Sequence, residues 1–433
     1  MLTQEQNDEL TQVGPGTPMG EVLRHYWYPV AFARELDEFP VKKARLLGEN
    51  WAVFKTADGG SGPSDSRASD SRASYGIVAE RCPHRGASMV YGIVENDGLR
   101  CGYHGWKFDT DGQCVEILAE PDSSPRFREG CSIRSGQAQE LGGMIWAYVG
   151  EGPAPELPRY EAYVMDGVRD IGHSILPCNW LQIMENSVDP YHVEALHGNY
   201  FEFVADQQGT PMPGSFGGNK HEKVAFDPFE HGIIKRRLLV GQDEESDDWK
   251  IGHPLVFPYK MWVGGNGVYQ MQIRVPIDDT HTWALFYTVH APEGAELGDD
   301  LPCIDYEYPW VDDNGEFIVD YIEGQDIMAW VTQGTVADRT NEKLTKSDVG
   351  VVACRRMFRD ALQSVRNGED PLAVVREPHD VIKLPLERSK FGRGAEFASD
   401  WIDNGSMRYS PQAESMKQIH LDAAAARKTL DET

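Results

Sequence analysis

The chain has 433 residues, and its 69 acidic against 41 basic side chains give a formal net charge of −28. Hydrophobic residues make up 40% and charged residues 25%, the composition of an ordinary folded protein, and the length favours two domains. This acidity argues against nucleic acid or an anionic membrane surface as a partner, because both carry charge of the same sign.

Residues 1–16 are polar and acidic and lack the basic and apolar regions of a secretory signal. The sequence contains no apolar run of about 18 residues, the length that would cross a bilayer. Its seven cysteines are an odd number and widely spaced, so they do not predict a disulfide framework. We therefore expect a cytoplasmic protein with reduced thiols and with neither a membrane nor a nucleic-acid partner.

The first part of the chain predicts a small β-rich domain. Residues 20–58 indicate a short helix or loop followed by two strands. Residues 59–74 contain a tandem copy of DSRAS, and such low-complexity sequence predicts a mobile surface loop. From 76 to about 150, short apolar runs alternate with Gly and Pro, which favours an all-β domain. The Pro-rich residues 151–160 mark a boundary.

The second part of the chain mixes predicted helices with predicted strands. Helical patterns cover residues 180–200, 319–364 and 416–433, and strand patterns cover residues 233–240, 269–277 and 281–290. Strands packed against helices predict an α+β domain.

Two short segments in the β-rich part pair cysteine with histidine. Cys82-Pro-His84 is followed, after sixteen intervening residues, by Cys101-Gly-Tyr-His104. A structural zinc site also uses two cysteines and two histidines, but zinc fingers usually pair Cys with Cys and His with His along the chain. The mixed halves favour a two-iron cluster in which two cysteines hold one iron and two histidines hold the other.

Imidazole ligands would raise the cluster potential to roughly −150 to +300 mV, so that it could accept electrons and pass them on. Gly86, Gly102 and Gly105 suit tight loops around such a cluster. Tyr103 and Trp106 could pack against the cluster and limit water, or could belong to the ordinary core.

A second constellation follows in the predicted helix at 180–200. Two histidines and a carboxylate on one face of an iron leave positions open for oxygen and substrate, and His192 and His197 are candidates. On an ideal helix, two side chains five residues apart point in directions about 140° apart, so the helix either distorts or ends near His197. Gly198 fits an ending, whereas Asp189 and Pro190 fit a helix start.

The third ligand must come from elsewhere in the chain. Asp326 lies in an apolar helical stretch where an unpaired carboxylate would be costly, so it is the first choice. Glu323 is the second choice, and an exposed helical acid without a ligand role is the alternative for Asp326.

Together, the CPH, CGYHGW and ENSVDPYHVEALHG segments resemble the Rieske aromatic-ring-hydroxylating oxygenases, and most nearly the oxygenase (alpha) component of the phthalate dioxygenase branch. The resemblance runs from the WYPVA segment near residue 27 to residues 338–348. It implies an α+β chain. An N-terminal segment at 1–44 would pack on the catalytic domain, a Rieske [2Fe-2S] domain would span 45–155, and a catalytic domain with a curved antiparallel sheet flanked by helices would span 156–433.

The resemblance also implies the metal ligands and the partners. The ligands would be Cys82, His84, Cys101 and His104 for the [2Fe-2S] cluster, and His192, His197 and Asp326 for a mononuclear iron(II). Asp189 would accept hydrogen bonds from His192 and from a neighbouring subunit's copy of His104, within a head-to-tail homotrimer or a stacked hexamer. Electrons would come from an NADH-dependent reductase that contains flavin and a [2Fe-2S] cluster.

The resemblance implies cis-dihydroxylation of an aromatic carboxylate, phthalate or a substituted benzoate, with O2. O-demethylation of an aromatic acid by a monooxygenase with the same metals is the alternative. A carboxylate substrate calls for a paired arginine, and Arg237 and Arg274 both lie in apolar strand patterns. Both could clamp the substrate if they point inward, or both could face solvent. A Rieske electron-transfer protein would be far shorter, and a zinc-stabilised binding protein would be colourless.

Overall fold

The computed structural model describes residues 1–56, 75–210, 220–297, 301–387 and 401–431. The predicted loop at 59–74 therefore lies outside the described residues. The chain divides into a smaller unit, Val13–Pro158 with Val374–Pro378, and a larger unit, Met1–Gln12 with Arg159–Ala373 and His379–Thr433. The segment 1–44, which we expected to pack on the catalytic domain, is thus divided: its first twelve residues belong to the larger unit and the remainder to the smaller one.

The smaller unit is built from two antiparallel sheets. A six-stranded sheet has the order β1-β10-β9-β4-β3-β2, and a four-stranded sheet has the order β5-β6-β7-β8. The strands are β1 Tyr28–Phe32, β2 Val41–Leu46, β3 Glu49–Lys55, β4 Tyr75–Ala79, β5 Ile93–Glu95, β6 Gly98–Arg100, β7 Trp106–Phe108, β8 Cys114–Ile117, β9 Ser135–Leu141 and β10 Met144–Tyr148. Short helices are Pro18–Leu23, Ala33–Glu38, Met89–Tyr91 and Pro125–Glu129.

The larger unit is built on one eight-stranded sheet with the order β12-β13-β14-β15-β16-β17-β11-β18. Its strands are β11 Val168–Leu176, β12 His221–Phe229, β13 Gly232–Leu239, β14 His253–Val256, β15 Lys260–Gly265, β16 Val268–Asp278, β17 His281–His290 and β18 Cys303–Glu307. The predicted α+β class is confirmed. The sheet is antiparallel except at one edge, where β11 and β18 pair in parallel.

The helices of the larger unit are Gln4–Thr11, Glu161–Val164, Trp180–Val188, His192–Glu194, Ala195–Tyr200, Phe201–Gln208, Asp247–Lys250, Ile322–Val331, Lys346–Asp348, Val349–Arg366, Ser406–Tyr409 and Ala413–Asp431. The predicted helical stretch at 319–364 is interrupted, because Gly334 has a φ of +93° soon after Val331. Within the described ranges, no helix combines the length and apolarity needed to cross a membrane.

Tight hairpin turns set the register of both units. Leu47-Gly48 joins β2 to β3 and Gly142-Gly143 joins β9 to β10, each with φ above zero at both positions. Asn266-Gly267 joins β15 to β16 in the same way. Such two-residue turns match the twist of the strands, so they fix which side chains face each other across the sheet.

A buried charge network connects the helix Trp180–Val188 to Arg339 and to the helix Val349–Arg366. Glu185 accepts hydrogen bonds from Arg339 Nε at 2.9 Å and Nη2 at 2.7 Å, and from Arg355 Nε at 2.5 Å. Burial opposes ionisation of Glu185, but the two guanidinium groups outweigh burial and lower its pKa. Removing one partner from such a network leaves charge buried without compensation.

We therefore expect Glu185→Gln to lower the free energy of unfolding by about 3 kcal/mol, because Arg339 would lose its only carboxylate partner among the described residues. Guanidinium unfolding followed by circular dichroism measures the change. Glu244→Gln is the control, because Glu244 pairs with Lys223 at the exposed surface and such pairs contribute under about 1 kcal/mol. Equal stability of the two variants would contradict the prediction.

Candidate metal centres

Two loops of the smaller unit, Cys82–Gly86 and Cys101–Gly105, close in the same way. The N–H of Gly86 donates to the carbonyl of Cys82 at 2.9 Å, and the N–H of Gly105 donates to the carbonyl of Cys101 at 3.0 Å. Gly86 has a φ of +73° and Gly105 a φ of +72°. Each loop therefore ends in left-handed backbone, which glycine adopts at little cost.

The four candidate cluster ligands lie at the tips of these loops. The thiols of Cys82 and Cys101 are buried, whereas His84 is exposed and His104 is half-buried. The two imidazole rings lie 4.5 Å apart between centroids. Within the described ranges, no three of these side chains bring their ligand atoms within 4.8 Å of one another. A single tetrahedral zinc would require that approach, so the arrangement fits a two-iron cluster better.

Aromatic side chains surround the two histidines. The ring of Trp106 stacks on His84 with centroids 4.7 Å apart and planes 4° apart. Tyr103 lies 3.7 Å from the His104 ring but remains 59% exposed. Trp106 therefore covers one histidine, while Tyr103 contributes to the outer surface beside the other.

In the larger unit, the helix Trp180–Val188 leads into the second constellation. Asp189 ends this helix, and its carboxylate accepts a hydrogen bond from the N–H of Tyr191 at 2.9 Å. Asp189 is thus the C-cap of this helix, and its side chain also caps the turn that follows, as expected for a residue at a helix start, although the next helix begins at His192. Pro190 then prevents the helix from continuing without a break.

The next helical segment distorts rather than ending at Gly198. After the short helix His192–Glu194, residues Ala195–Tyr200 form a π-helix, and an α-helix continues from Phe201 to Gln208. Hydrogen bonds in a π-helix span five residues, so side chains five apart lie about one turn apart. His192 and His197 thereby share a face, and their rings lie 5.3 Å apart.

Asp326, on the helix Ile322–Val331, meets both histidines. Its Oδ1 lies 3.3 Å from Nε2 of His197 and 3.7 Å from Nε2 of His192. The three ligand atoms all lie within 4.8 Å of one another, and Oδ1 accepts no hydrogen bond from any described residue. Two imidazoles and one carboxylate in this arrangement could hold an iron(II) ion with positions left open.

Glu323, the second choice for the third ligand, is engaged elsewhere. Its buried carboxylate accepts hydrogen bonds from the N–H of Ser406 at 2.8 Å and from the Ser406 hydroxyl at 3.0 Å. Glu323, which lies one helical turn before Asp326, therefore anchors the segment at Ser406.

Hydrogen bonding and burial keep the three ligand side chains in their metal-binding forms. Nδ1 of His197 lies 2.9 Å from Oε1 of Gln325, whose amide nitrogen donates to the carbonyl of Val319 at 3.0 Å. Gln325 thus presents an acceptor, so Nδ1 carries the proton and the lone pair of Nε2 points toward Asp326. Burial lowers the pKa of His192 to about 3. Burial opposes ionisation of Asp326, and the nearby charge of Arg274 favours it.

Gln325 did not stand out in the sequence. The available signal was general: a metal-binding histidine needs an acceptor for its other ring nitrogen, and a polar residue beside the third ligand can provide one. His192 has no such contact within the described residues. Its Nδ1 is buried without a hydrogen-bond partner and lies 3.8 Å from Oδ2 of Asp189. That distance is about 1 Å longer than a charge-assisted hydrogen bond.

The two candidate substrate-binding arginines are both buried but differ in their partners. Arg237, on β13, donates from Nη2 to Asp248 Oδ1 at 2.6 Å and lies 3.2 Å from Nε2 of His253. Its charge is therefore already paired inside the protein. Arg274, on β16, donates from Nη2 to Oε1 of Gln272 at 2.5 Å, and its Nη1 has no hydrogen-bond partner among the described residues.

A row of polar side chains along β16 holds Arg274 in place. Gln272 donates to Oε1 of Gln270 at 2.7 Å, and Gln270 donates to the hydroxyl of Thr288 on β17 at 3.1 Å. Residues 270, 272 and 274 alternate along the strand and so share one face of the sheet. Neutral side chains thus orient the guanidinium, and they do not balance its positive charge.

Comparison with known proteins bears on both halves of the chain. Residues 26–128 match the Rieske [2Fe-2S] domain family, and residues 311–385 match the family described as LigXa C-terminal domain like. The chain is 38% identical to the 5,5′-dehydrodivanillate O-demethylase oxygenase subunit of Sphingobium sp. (strain NBRC 103272 / SYK-6), over 89% of this chain and 86% of that protein. It is 33% identical to the phthalate 4,5-dioxygenase oxygenase subunit of Pseudomonas putida, over 86% of this chain and 89% of that protein.

A solved structure shares the fold. Pseudomonas putida CBB5 NdmA aligns with a TM-score of 0.57 at 20% identity, covering 84% of this chain and 99% of that chain. At this level of identity the likeness concerns the fold alone.

Proposed function

Since the chain belongs to the Rieske-type non-haem iron oxygenases and is an oxidoreductase with a [2Fe-2S] cluster and a mononuclear iron, we propose that it oxidises an aromatic carboxylate with O2. The observation that carries the substrate class is Arg274, a buried cation with an unpartnered N–H whose charge acts on Asp326. A carboxylate is the group that such a cation would bind most favourably.

The proposed cluster ligands are Cys82, His84, Cys101 and His104, and the proposed iron ligands are His192, His197 and Asp326. When bound, the cluster supplies single electrons and the iron supplies the activation of O2. The chain's own groups do the rest. Gln325 orients His197, the buried setting keeps His192 neutral, and Arg274 fixes the carboxylate end of the substrate so that its ring is held in one orientation.

The proposed partners are an NADH-dependent reductase with flavin and [2Fe-2S] centres, and further copies of this chain in a trimer or stacked hexamer. The surface beside the cluster loops supports a protein partner, because Tyr91, Tyr103 and Leu118 are 84%, 59% and 62% exposed. The backbone of Tyr91 lies against Gly102, and Leu118 lies against Gly105. Exposed apolar side chains grouped in this way are typical of interfaces.

Two outcomes of the oxidation are proposed. Ring cis-dihydroxylation, the lead, would add both atoms of O2 to the ring. O-demethylation is the second candidate, favoured by the 38% identity to an O-demethylase subunit, and it would convert an aryl methyl ether, O2, two electrons and two protons into a phenol, formaldehyde and water. Phthalate, 3-chlorobenzoate and 5,5′-dehydrodivanillate, with a reductase and NADH, test the proposal. A diol or formaldehyde identifies the outcome, and no oxidation of any aromatic acid would overturn the proposal.

We expect Arg274→Ala to raise KM for the carboxylate substrate by about 10- to 100-fold, because a hydrogen bond to a charged group would be lost. Steady-state kinetics of the acid and its methyl ester measure the effect, and the ester should be nearly insensitive. Arg237→Ala is the matched comparison, since Arg237 is also buried but is paired with Asp248. An unchanged KM in either variant would remove that residue from the substrate pocket.

A further inference from the structure

A row of four residues crosses the large sheet at the position of Arg274. Arg274 on β16 lies opposite Ala284 on β17, and Ala284 lies opposite Ser174 on β11. Tyr308 directly follows β18, and its N–H donates to the carbonyl of His173 at 3.2 Å, which extends the parallel pairing with β11. Residues that lie opposite one another across a sheet share a face. The row therefore has two small residues in the middle and a long side chain at each end.

The two end residues present buried hydrogen-bond donors. Arg274 is 3% exposed and Tyr308 is 0% exposed. Within the described parts of the chain, neither Nη1 of Arg274 nor the hydroxyl of Tyr308 has a hydrogen-bond partner. Buried polar groups are usually satisfied, so two such donors in one row indicate an acceptor that the protein itself does not supply. Burial raises the pKa of Tyr308 well above its ordinary value, so the hydroxyl keeps its proton at neutral pH.

The row lies beside the proposed iron site. Ile327 and Trp330, on the helix that carries Asp326, pack in one apolar cluster with Ala284 and Tyr308. The charge of Arg274 acts on both Asp326 and Tyr308. An acceptor bound by the two donors would therefore hold the attached ring near the three ligand side chains.

A carboxylate has two oxygen atoms, and Arg274 has one of its terminal nitrogens already engaged by Gln272. We propose that the hydroxyl of Tyr308 is the second donor to the substrate carboxylate, so that Arg274 and Tyr308 together select an aromatic acid over its ester. This inference rests on the proposed function and adds a specificity-determining residue to it. Ser174 and Ala284, which lie between the two donors in the row, both have small side chains.

Calorimetric titration of the anaerobic, iron-loaded protein tests the inference without turnover. The probes are phthalate, 3-chlorobenzoate and 5,5′-dehydrodivanillate, together with the methyl ester of whichever acid binds. We expect Tyr308→Phe to weaken binding of the acid about tenfold and to leave binding of the ester unchanged. Tyr306→Phe is the matched control, because Tyr306 is also a buried tyrosine, but its hydroxyl interacts with Asp170 and Ser406 instead of Arg274.

Each outcome is decisive. Equal affinity of Tyr308→Phe and the wild-type chain for the acid would overturn the inference, as would an equal loss for acid and ester, which would indicate a structural effect. An acid bound normally by Tyr308→Phe but lost by Arg274→Ala would leave the proposed function standing while the inference falls. If the wild-type chain binds none of the three acids, the proposed substrate class fails, and the inference fails with it.

Discussion

Asp326→Asn should yield a chain that keeps its [2Fe-2S] cluster but loses its mononuclear iron and all oxygenation of substrate. A neutral amide is a weak iron ligand, and the two histidines alone would hold the ion poorly. The carboxylate of Asp326 is the group that both imidazoles face, at 3.3 and 3.7 Å from its Oδ1. Iron and sulfide analysis of anaerobically purified protein should give about two irons per chain in place of about three, with the reddish-brown spectrum retained.

Glu323→Gln is the matched control, because Glu323 is the same kind of residue one turn earlier on the same helix. Its carboxylate binds Ser406, so the variant should keep its iron and lose only stability. Loss of iron from Glu323→Gln but not from Asp326→Asn would reverse the assignment of the third ligand. Zinc in place of iron, with a colourless wild-type chain, would overturn both metal assignments.

Asp189→Asn should keep both metals and lose turnover by about 10- to 100-fold, the usual effect of removing the group that supports a metal-binding histidine. Nδ1 of His192 is buried without a partner, and the carboxylate of Asp189 lies 3.8 Å away. In the proposed trimer the same carboxylate would also accept from His104 of a neighbouring subunit, and would thus connect the cluster to the iron.

Three measurements separate this role from a structural one: iron content, thermal stability, and the rate at which a pre-reduced cluster is reoxidised in the presence of substrate and O2. The rate of cluster reoxidation should fall together with turnover, whereas iron content and thermal stability should not change. Asp206→Asn is the control, since Asp206 is exposed on the helix that follows. Full turnover by Asp189→Asn would eliminate the proposed bridge, and loss of iron would show that Asp189 instead maintains the site.

The histidine pair and the Cys–His segments can be singled out from the sequence, because each is a short-range pattern whose spacing is itself informative. The sequence also requires the helix between His192 and His197 to distort or end, and distortion is what occurs. Asp326 follows from a different argument, the cost of placing an unpaired carboxylate in an apolar helix. The interruption between Val331 and Lys346 and the parallel edge of the sheet were not predicted, since both depend on contacts between distant parts of the chain.

Arg237 and Arg274 show most clearly where local pattern is insufficient. Both are flanked by apolar residues and both are buried, so their strand patterns predict the same role. They differ because Asp248, on a short helix before β14, pairs directly with Arg237, whereas the hydrogen-bond acceptor of the Arg274 guanidinium is the neutral Gln272 and Asp326 interacts with its charge without a hydrogen bond. That difference depends on the register of β13 and β16 within the sheet, which turns such as Asn266-Gly267 determine and which a single strand does not reveal.

The π-helix at Ala195–Tyr200 has a consequence for how the iron-binding segment is seated. In an uninterrupted α-helix, the face of His192 would continue through positions such as Phe203 and Asp206, which are exposed. The one-residue offset instead brings His192 into line with His197 and with the buried Phe201 and Val204. The extra residue in the π-helix therefore lets the same helical segment point both imidazoles toward the iron site and keep its buried side chains in the core. Deleting or inserting a residue here would preserve one of these orientations and lose the other.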